Sequence, residues 1–150
     1  MKWSLQASIF AALLASAIGG SSAASAGSVK SSLTTSALNI ETVFAFGNDP
    51  GPVQVNESSQ FNFARVIELG GASPVGATII QTGTQNYASV YQTGSTTSAA
   101  IGQFGASNTT NVMQMGNANN TLLVQVGDMN TGAVSQSGRF NWAAIFQFGR

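Results

Sequence analysis

The chain has 150 residues, and five basic and five acidic side chains give it a formal net charge of zero. Charged residues make up only 7% of it, so electrostatic capture of nucleic acid is not expected. Because Cys and His are both absent, disulfides, thiolate nucleophiles, Cys/His zinc sites and imidazole proton transfer are excluded. The sequence therefore predicts no cofactor and no enzyme.

Residues 1–26 are predicted to be a signal peptide. Lys2 supplies a positive charge, residues 5–18 are largely apolar, and Ala24-Ser25-Ala26 is a small-residue cleavage pattern. The apolar run is too short to cross a bilayer as a helix, which takes about 20 residues. The sequence therefore predicts that the chain is secreted.

Residues 27–61 are predicted to form a flexible N-terminal segment used in export. The segment is rich in Ser, Ala and Thr, and residues 48–52 are a cluster of turn formers that interrupts any strand. Residues 43–46 are apolar and fit either a short strand or a handle for export machinery.

From residue 75 onward the sequence repeats every eleven residues, with seven Gln-x-Gly triplets at this spacing. The glutamines are Gln81, Gln92, Gln103, Gln114, Gln125, Gln136 and Gln147. The glycines are Gly83, Gly94, Gly105, Gly116, Gly127, Gly138 and Gly149. Such regularity predicts a repeat fold.

Further registers precede each triplet. Asparagine recurs at Asn86, Asn108, Asn119, Asn130 and Asn141, with Thr97 in the one missing place. A small residue follows two positions later. Two positions further on, an aliphatic register predicts the core at Val66, Ile79, Val90, Ile101, Val112, Leu123, Val134 and Ile145. The unit is Asn-x-small-x-aliphatic-x-Gln-x-Gly.

This order predicts a β-strand followed by a turn. Side chains of a strand alternate between its faces, so the Asn, small, aliphatic and Gln positions share one face and the variable positions share the other. The constrained face is predicted to be the inside, and the Gly supplies the positive φ of a tight turn. A helical eleven-residue repeat is disfavoured, because a Gly in every unit would cost about 1 kcal/mol each.

Stacked rungs explain why the same residue types recur at the same places. In a β-solenoid each residue lies about 4.8 Å from its equivalent one coil away, so inward Gln and Asn side chains can form ladders, whereas a meander needs no such identity. One unit earlier, the spacing is kept by Asn62, Ala64, Val66, Glu68 and Gly70. The predicted fold class is therefore all-β, a β-solenoid of four 22-residue rungs over residues 62–150.

The completed unit resembles the repeat of the curlin family, the subunits of bacterial curli functional amyloid. The family pattern Gln-x-Gly-x-x-Asn-x-Ala-x-x-x-Gln is matched at residues 81–92 and recurs with small substitutions as far as residues 136–147. The small position departs from Ala at Thr110, Thr121 and Gly132. These departures, like Thr97 and Glu68, are expected to weaken single ladder steps without breaking the frame.

The resemblance implies a structural subunit of extracellular amyloid fibres on the outer bacterial surface, with a part in biofilm. Its partners would be copies of itself, other curlin subunits, an outer-membrane secretion pore and accessory assembly factors, with no nucleic acid and no small-molecule substrate. Residues 61–69 are similar to the opening of the minor, nucleating subunit, and Arg150 agrees with it, whereas the regular last repeat favours the major subunit. The minor subunit is predicted, and the major fibre-forming subunit is the alternative.

Other classes of function fit less well. Glycoside cleavage needs a pair of carboxylates, and Asp128 stands alone in the regular array. A monomeric β-solenoid adhesin is a further alternative, but the Thr row of an ice binder and the Asp in each turn of a calcium-binding repeat are absent.

Two features stay open. Glu68 is either a charge that delays pairing of the first rung or a residue without a role. The outward-facing cluster of Trp142, Phe146 and Phe148 is either an interface or an unremarkable set of exposed apolar residues.

Overall fold

The structure is a computed structural model that describes residues 28–34, 39–46, 50–58, 60–70 and 75–150. The predicted signal peptide lies outside the described residues. Eleven β-strands are the regular elements of the described part. They are β1 (Ser28–Thr34), β2 (Asn39–Phe46), β3 (Pro50–Ser58), β4 (Phe63–Gly70), β5 (Val75–Thr82), β6 (Tyr87–Ser95), β7 (Ser98–Phe104), β8 (Thr109–Asn117), β9 (Asn120–Val126), β10 (Thr131–Arg139) and β11 (Trp142–Phe148).

The strands alternate along the chain between two sheets. Sheet A has the order β1-β2-β4-β6-β8-β10, and sheet B has the order β3-β5-β7-β9-β11. Every pair is parallel except β1 with β2, which is antiparallel. Each rung therefore takes one strand from each sheet, and the chain coils as a β-solenoid. This confirms the predicted fold class.

The four rungs predicted from residue 62 onward are β4–β5, β6–β7, β8–β9 and β10–β11, and one further rung, β2–β3, precedes them. This rung lies within the segment expected to be a flexible lead. It forms because β2 presents buried Val43 and Ala45 inward, and Val43 lies in register with Val66 of the next rung. The structural array is thus one rung longer than the four-rung array predicted over residues 62–150.

The core is a thin layer of aliphatic and small side chains between the two sheets. At the predicted aliphatic positions, the exposed fraction is 0–2% for Val66, Ile79, Val90, Ile101, Val112 and Leu123. Burial decreases toward the last rung, where Val134 is 8% exposed and Ile145 is partly buried. These two positions are covered by a rung on one side only.

Each turn contains two residues in the left-handed conformation, whereas the sequence predicted only the glycine. Six turn glycines have positive φ: Gly83, Gly94, Gly105, Gly116, Gly127 and Gly138. Gly149, which follows the last described strand, is not among them. The second left-handed position, two residues after each Gly, is a non-Gly residue such as Thr96 (φ 56°) or Ala118 (φ 54°).

Candidate assembly interface

The glutamines of sheet B form a buried column along the solenoid. Nε2 of Gln81 donates to Oε1 of Gln103 at 2.7 Å, and the same bond joins Gln103 to Gln125 (2.9 Å) and Gln125 to Gln147 (2.7 Å). Each Nε2 also donates to a backbone carbonyl of sheet A. Because every amide donates toward the residue 22 positions later, the column has a direction.

Sheet A carries a matching column. Nε2 of Gln92 donates to Oε1 of Gln114 at 2.6 Å, and Nε2 of Gln114 donates to Oε1 of Gln136 at 2.9 Å. Nε2 of Gln114 and of Gln136 also donates to the carbonyls of Ser98 and Asn120 in sheet B. The amides thus find partners within their column and across the core, which is what permits their burial.

Two threonines link the columns to the opposite sheet. Thr110 of sheet A accepts a hydrogen bond from Nε2 of Gln103 (3.1 Å) and donates to Oε1 of Gln125 (2.9 Å). Thr121 of sheet B does the same between two glutamines of sheet A. The expectation that threonine at the small position weakens the ladder is wrong at these two positions, because each hydroxyl adds two bonds to a column.

The asparagines bond to backbone groups more than to one another. Oδ1 of Asn62 accepts from the backbone N–H of Asn86, and Oδ1 of Asn86 accepts from that of Asn108, both at 3.1 Å. The same link joins Asn108 to Asn130 and Asn119 to Asn141. Nδ2 donates to a carbonyl near the end of the preceding strand, four residues earlier, as from Asn119 to Met115 at 2.8 Å. The Asn positions therefore fasten each turn to the turn of the next rung.

Direct amide-to-amide bonds between asparagines occur near the C-terminal end of the solenoid. Nδ2 of Asn130 donates to Oδ1 of Asn108 at 3.0 Å, and Nδ2 of Asn141 donates to Oδ1 of Asn119 at 2.9 Å. At the other end, Asn39, which the repeat did not predict, accepts from the backbone N–H of Asn62 at 3.0 Å.

Thr97 is the weak point of the asparagine register. Its side chain is 1% exposed, and its Oγ1 has no hydrogen-bond partner. The threonine side chain is shorter than that of asparagine and does not make the link that Asn119 makes to Asn141.

Both glutamine columns begin with a glutamate at the N-terminal end of the solenoid. Glu57 of β3 lies in register with Gln81, and Glu68 of β4 lies in register with Gln92. Burial raises the pKa of Glu68 to about 7, and burial followed by the charge of Glu41 raises the pKa of Glu57 to about 7. Sequence reasoning missed Glu57, although it precedes Glu68 by one eleven-residue period.

Several polar atoms next to these carboxyl groups are buried without a hydrogen-bond partner. They are Oε1 of Glu57, Oε2 of Glu68 and Oε1 of Gln81. The amide oxygen of Gln81 can only accept a hydrogen bond, and the two carboxyl oxygens can only accept while the carboxyl groups are ionised. A proton on Glu57 would supply a donor to Oε1 of Gln81, which agrees with the raised pKa of Glu57.

The C-terminal end of the solenoid is open in the described chain. β10 and β11 are the outermost strands of their sheets, and no strand pairs with their outer edges. Near this end, Trp142, Phe146 and Phe148 on β11 are 70%, 57% and 77% exposed. They lie on the outward face of sheet B, so they do not join the core.

Among the described residues, no group of three or more His, Cys, Asp or Glu side chains is placed to hold a metal ion. Within the same ranges, no helix has the length and apolarity needed to span a membrane.

These features define a parallel β-solenoid repeat protein whose interior is held by columns of amide side chains. The curlin associated repeat matches residues 76–105, which include the first three Gln-x-Gly triplets, and this match supports the resemblance to the curlin family. No curated protein and no solved structure matches the chain. The repeat and the fold indicate a structural role rather than a catalytic one.

Proposed function

We propose that this protein is a secreted structural subunit of extracellular curli-type fibres and that it polymerises by stacking further copies on the ends of the solenoid. The observation that carries the proposal is the open C-terminal end. There Nε2 of Gln136 and of Gln147 each donates to a single acceptor, a backbone carbonyl, so one N–H of each amide is unused in the described chain. The edges of β10 and β11 add unpaired backbone groups that recruit further strands.

Low charge supports polymerisation. Among the residues after Pro74 only Asp128, Arg139 and Arg150 carry charge, and no further proline occurs. Segments of this composition stack readily into cross-β assemblies, because neither charge repulsion nor missing backbone donors oppose the stacking.

The first test follows assembly of residues 27–150, which contain every residue that the structure describes. Thioflavin fluorescence is expected to rise after a lag, and fibre diffraction is expected to show spacings of about 4.8 Å and about 10 Å. A product that stays monomeric and soluble under varied salt and pH contradicts the polymer function and favours a monomeric adhesin.

Within the fibre we propose the minor, nucleating role at the cell surface. Support comes from the similarity of residues 61–69 to the opening of a minor subunit, and from the asymmetry of the solenoid: β1 covers the edge of β2 at the N-terminal end, whereas no strand of the described chain covers β10 or β11 at the C-terminal end. A nucleator needs one end that templates incoming subunits. Recognition by an outer-membrane secretion pore is assigned by the same proposal to part of the segment after Gly27.

A cell experiment separates the nucleator from the major subunit. Cells that make the other curlin subunit but lack this chain are expected to release polymer that is not attached to their surface. Complete loss of polymer in these cells would assign the major subunit instead. As a control, restoring this chain in the same cells should return the polymer to the surface.

A further inference from the structure

The glutamine column of sheet B presents a donor at its C-terminal end. From Gln81 to Gln125, each Nε2 donates to the Oε1 of the next glutamine toward that end. Gln147 ends the column, and its Nε2 donates to the carbonyl of Thr131 at 2.8 Å. The second N–H of Gln147 has no acceptor in the described part of the chain, so the column ends in an unused donor.

The same column presents acceptors at its N-terminal end. β3 is the outermost strand of sheet B there, and Glu57 on β3 continues the column beside Gln81. Oε1 of Glu57 and Oε1 of Gln81 are both buried without a hydrogen-bond partner. A cavity of about 310 Å³, lined by Glu41 and Glu57 among others, lies at this end.

We propose that copies of this chain stack head to tail through sheet B, with Nε2 of Gln147 in one copy donating to the carboxyl group of Glu57 in the next. This inference rests on the proposed fibre function. A parallel stack with the spacing of about 4.8 Å found between neighbouring strands places β11 beside β3 and continues the column without a break. A donor end then meets an acceptor end.

A neutral Glu57 completes the column in both directions. Its O–H group donates to Oε1 of Gln81, and its other oxygen accepts from Gln147 of the next copy. The neighbours in the column, Gln81 and Gln147, are uncharged, and Glu41 on β2 is the titratable group that acts on Glu57. Burial by the next copy favours the neutral form further.

Sheet A lacks this match. The same head-to-tail stack places Gln136 of one copy beside Ala45 of the next copy, because Ala45 is in register with Glu68 and Gln92. Alanine offers no side-chain acceptor. In addition, β1 pairs antiparallel with β2 at this edge, so β10 of an incoming copy reaches β2 only after β1 has left it. The column of sheet B is therefore the half of the interface that specifies the partner.

The test introduces a charge conflict across the proposed contact and then removes it. Gln147→Glu sets two carboxylates against each other at pH 8, and seeded elongation of residues 27–150 is expected to slow by at least about tenfold. Adding Glu57→Gln to the same chain is expected to restore most of the rate, because the amide introduced at position 57 donates to the carboxylate introduced at position 147 of the neighbouring copy. Rescue requires that the two positions meet.

Gln136→Glu is the matched control. It adds a carboxylate at the same open end but in sheet A, where the column meets Ala45 of the next copy. Any slowing of elongation by Gln136→Glu is expected to persist when Glu57→Gln is added. If Gln147→Glu elongates at the wild-type rate, or if Glu57→Gln fails to rescue it while elongating normally alone, the contact is wrong. A wild-type chain that never polymerises would instead contradict the fibre function.

A second pair of variants covers the case in which Gln147→Glu does not fold. Glu57→Gln keeps an acceptor at the partly exposed edge, whereas Glu57→Leu keeps the bulk and removes the acceptor. At pH 6, Glu57→Leu is expected to elongate several-fold more slowly than Glu57→Gln. Equal rates for these two variants would overturn the contact.

Discussion

Glu68 and Gln92 lie one above the other in the column of sheet A, with 3.2 Å between Oε1 of Glu68 and the nearer atom of the Gln92 amide group. If Gln92 turns its Nε2 toward Glu68, it loses the 2.6 Å bond to Gln114. If it keeps that bond, its own oxygen faces the carboxyl oxygen. A proton on Glu68 removes this oxygen–oxygen contact and keeps the direction of the column, because the carboxyl group then donates to Oε1 of Gln92. The same amide oxygen also lies 3.3 Å from the carbonyl oxygen of Gly76, and Nε2 lies 3.2 Å from the backbone nitrogen of Ala99.

The stability of the solenoid is therefore expected to depend on the ionisation of Glu68. Folding raises the pKa of Glu68 from 4.5 to about 7, so the folded state binds the proton more tightly than the unfolded state. The contribution of this group is fully present below pH 4.5 and is lost as the pH rises through about 7. The raised pKa sets an upper bound of about 3 kcal/mol on the loss.

Glu68→Gln removes this dependence. We expect the variant to match the wild type at pH 5 and to be more stable by about 1–3 kcal/mol at pH 8, measured by urea unfolding of freshly prepared monomer. Glu57→Gln/Glu68→Gln is the companion variant, because Glu57 titrates in the same range. A Glu68→Gln chain whose stability falls with pH as steeply as that of the wild type would contradict the assignment.

The column of sheet A is expected to hold the solenoid and to set its rate of assembly. Gln114→Leu removes bonds to two glutamines, to Thr121 and to the carbonyl of Ser98. Leaving buried partners unsatisfied is expected to lower the free energy of unfolding by about 3 kcal/mol. Replacing Gln92, Gln114 and Gln136 together by Leu is expected to lengthen the lag of thioflavin fluorescence.

Gln54→Leu is the matched control for these substitutions, because Gln54 is exposed on β3. It is expected to change stability by less than about 0.5 kcal/mol. Unchanged assembly kinetics in the triple variant would show that the buried glutamines only fill space.

The eleven-residue period was sufficient to predict the strands and their inward faces. A strand alternates its side chains, and a stack repeats the same environment in every rung, so Val90 and Val112 had to be equivalent. The period could not reveal the rung β2–β3, which lacks Gln-x-Gly triplets and in which the buried apolar side chains among the described residues are Val43 and Ala45.

The hydrogen-bond partners were harder to predict than the faces. Asn and Gln carry the same amide group, but the asparagine side chain is one methylene shorter and reaches the backbone N–H of the next rung, as Asn86 does at Asn108. The bridges made by Thr110 depend on how closely the two sheets approach. Sequence alone does not contain that distance.

The turn glycines are expected to be irreplaceable, in contrast to a glycine on the outward face. Gly105 has a φ of +124°, and a Cβ there would lie 2.2 Å from the carbonyl oxygen of Gly127. Gly105→Ala is therefore expected to destabilise the monomer by at least about 2 kcal/mol. Gly102→Ala meets only the ring edge of Phe104 at 3.1 Å, which can turn aside, so thermal unfolding is expected to change little. Equal losses in the two variants would contradict this account.

Thr97→Asn is expected to stabilise the solenoid. The asparagine would bring Oδ1 to the backbone N–H of Asn119, the link that Asn119 itself makes to Asn141, and it would replace a buried hydroxyl that has no partner. One hydrogen bond of this kind contributes about 1 kcal/mol, measured as a higher urea midpoint of the monomer. Thr109→Asn, at an exposed position, is the control and should leave the midpoint unchanged. A lower midpoint for Thr97→Asn would mean that the turn at this position has no room for the longer side chain and that Thr97 is retained for packing.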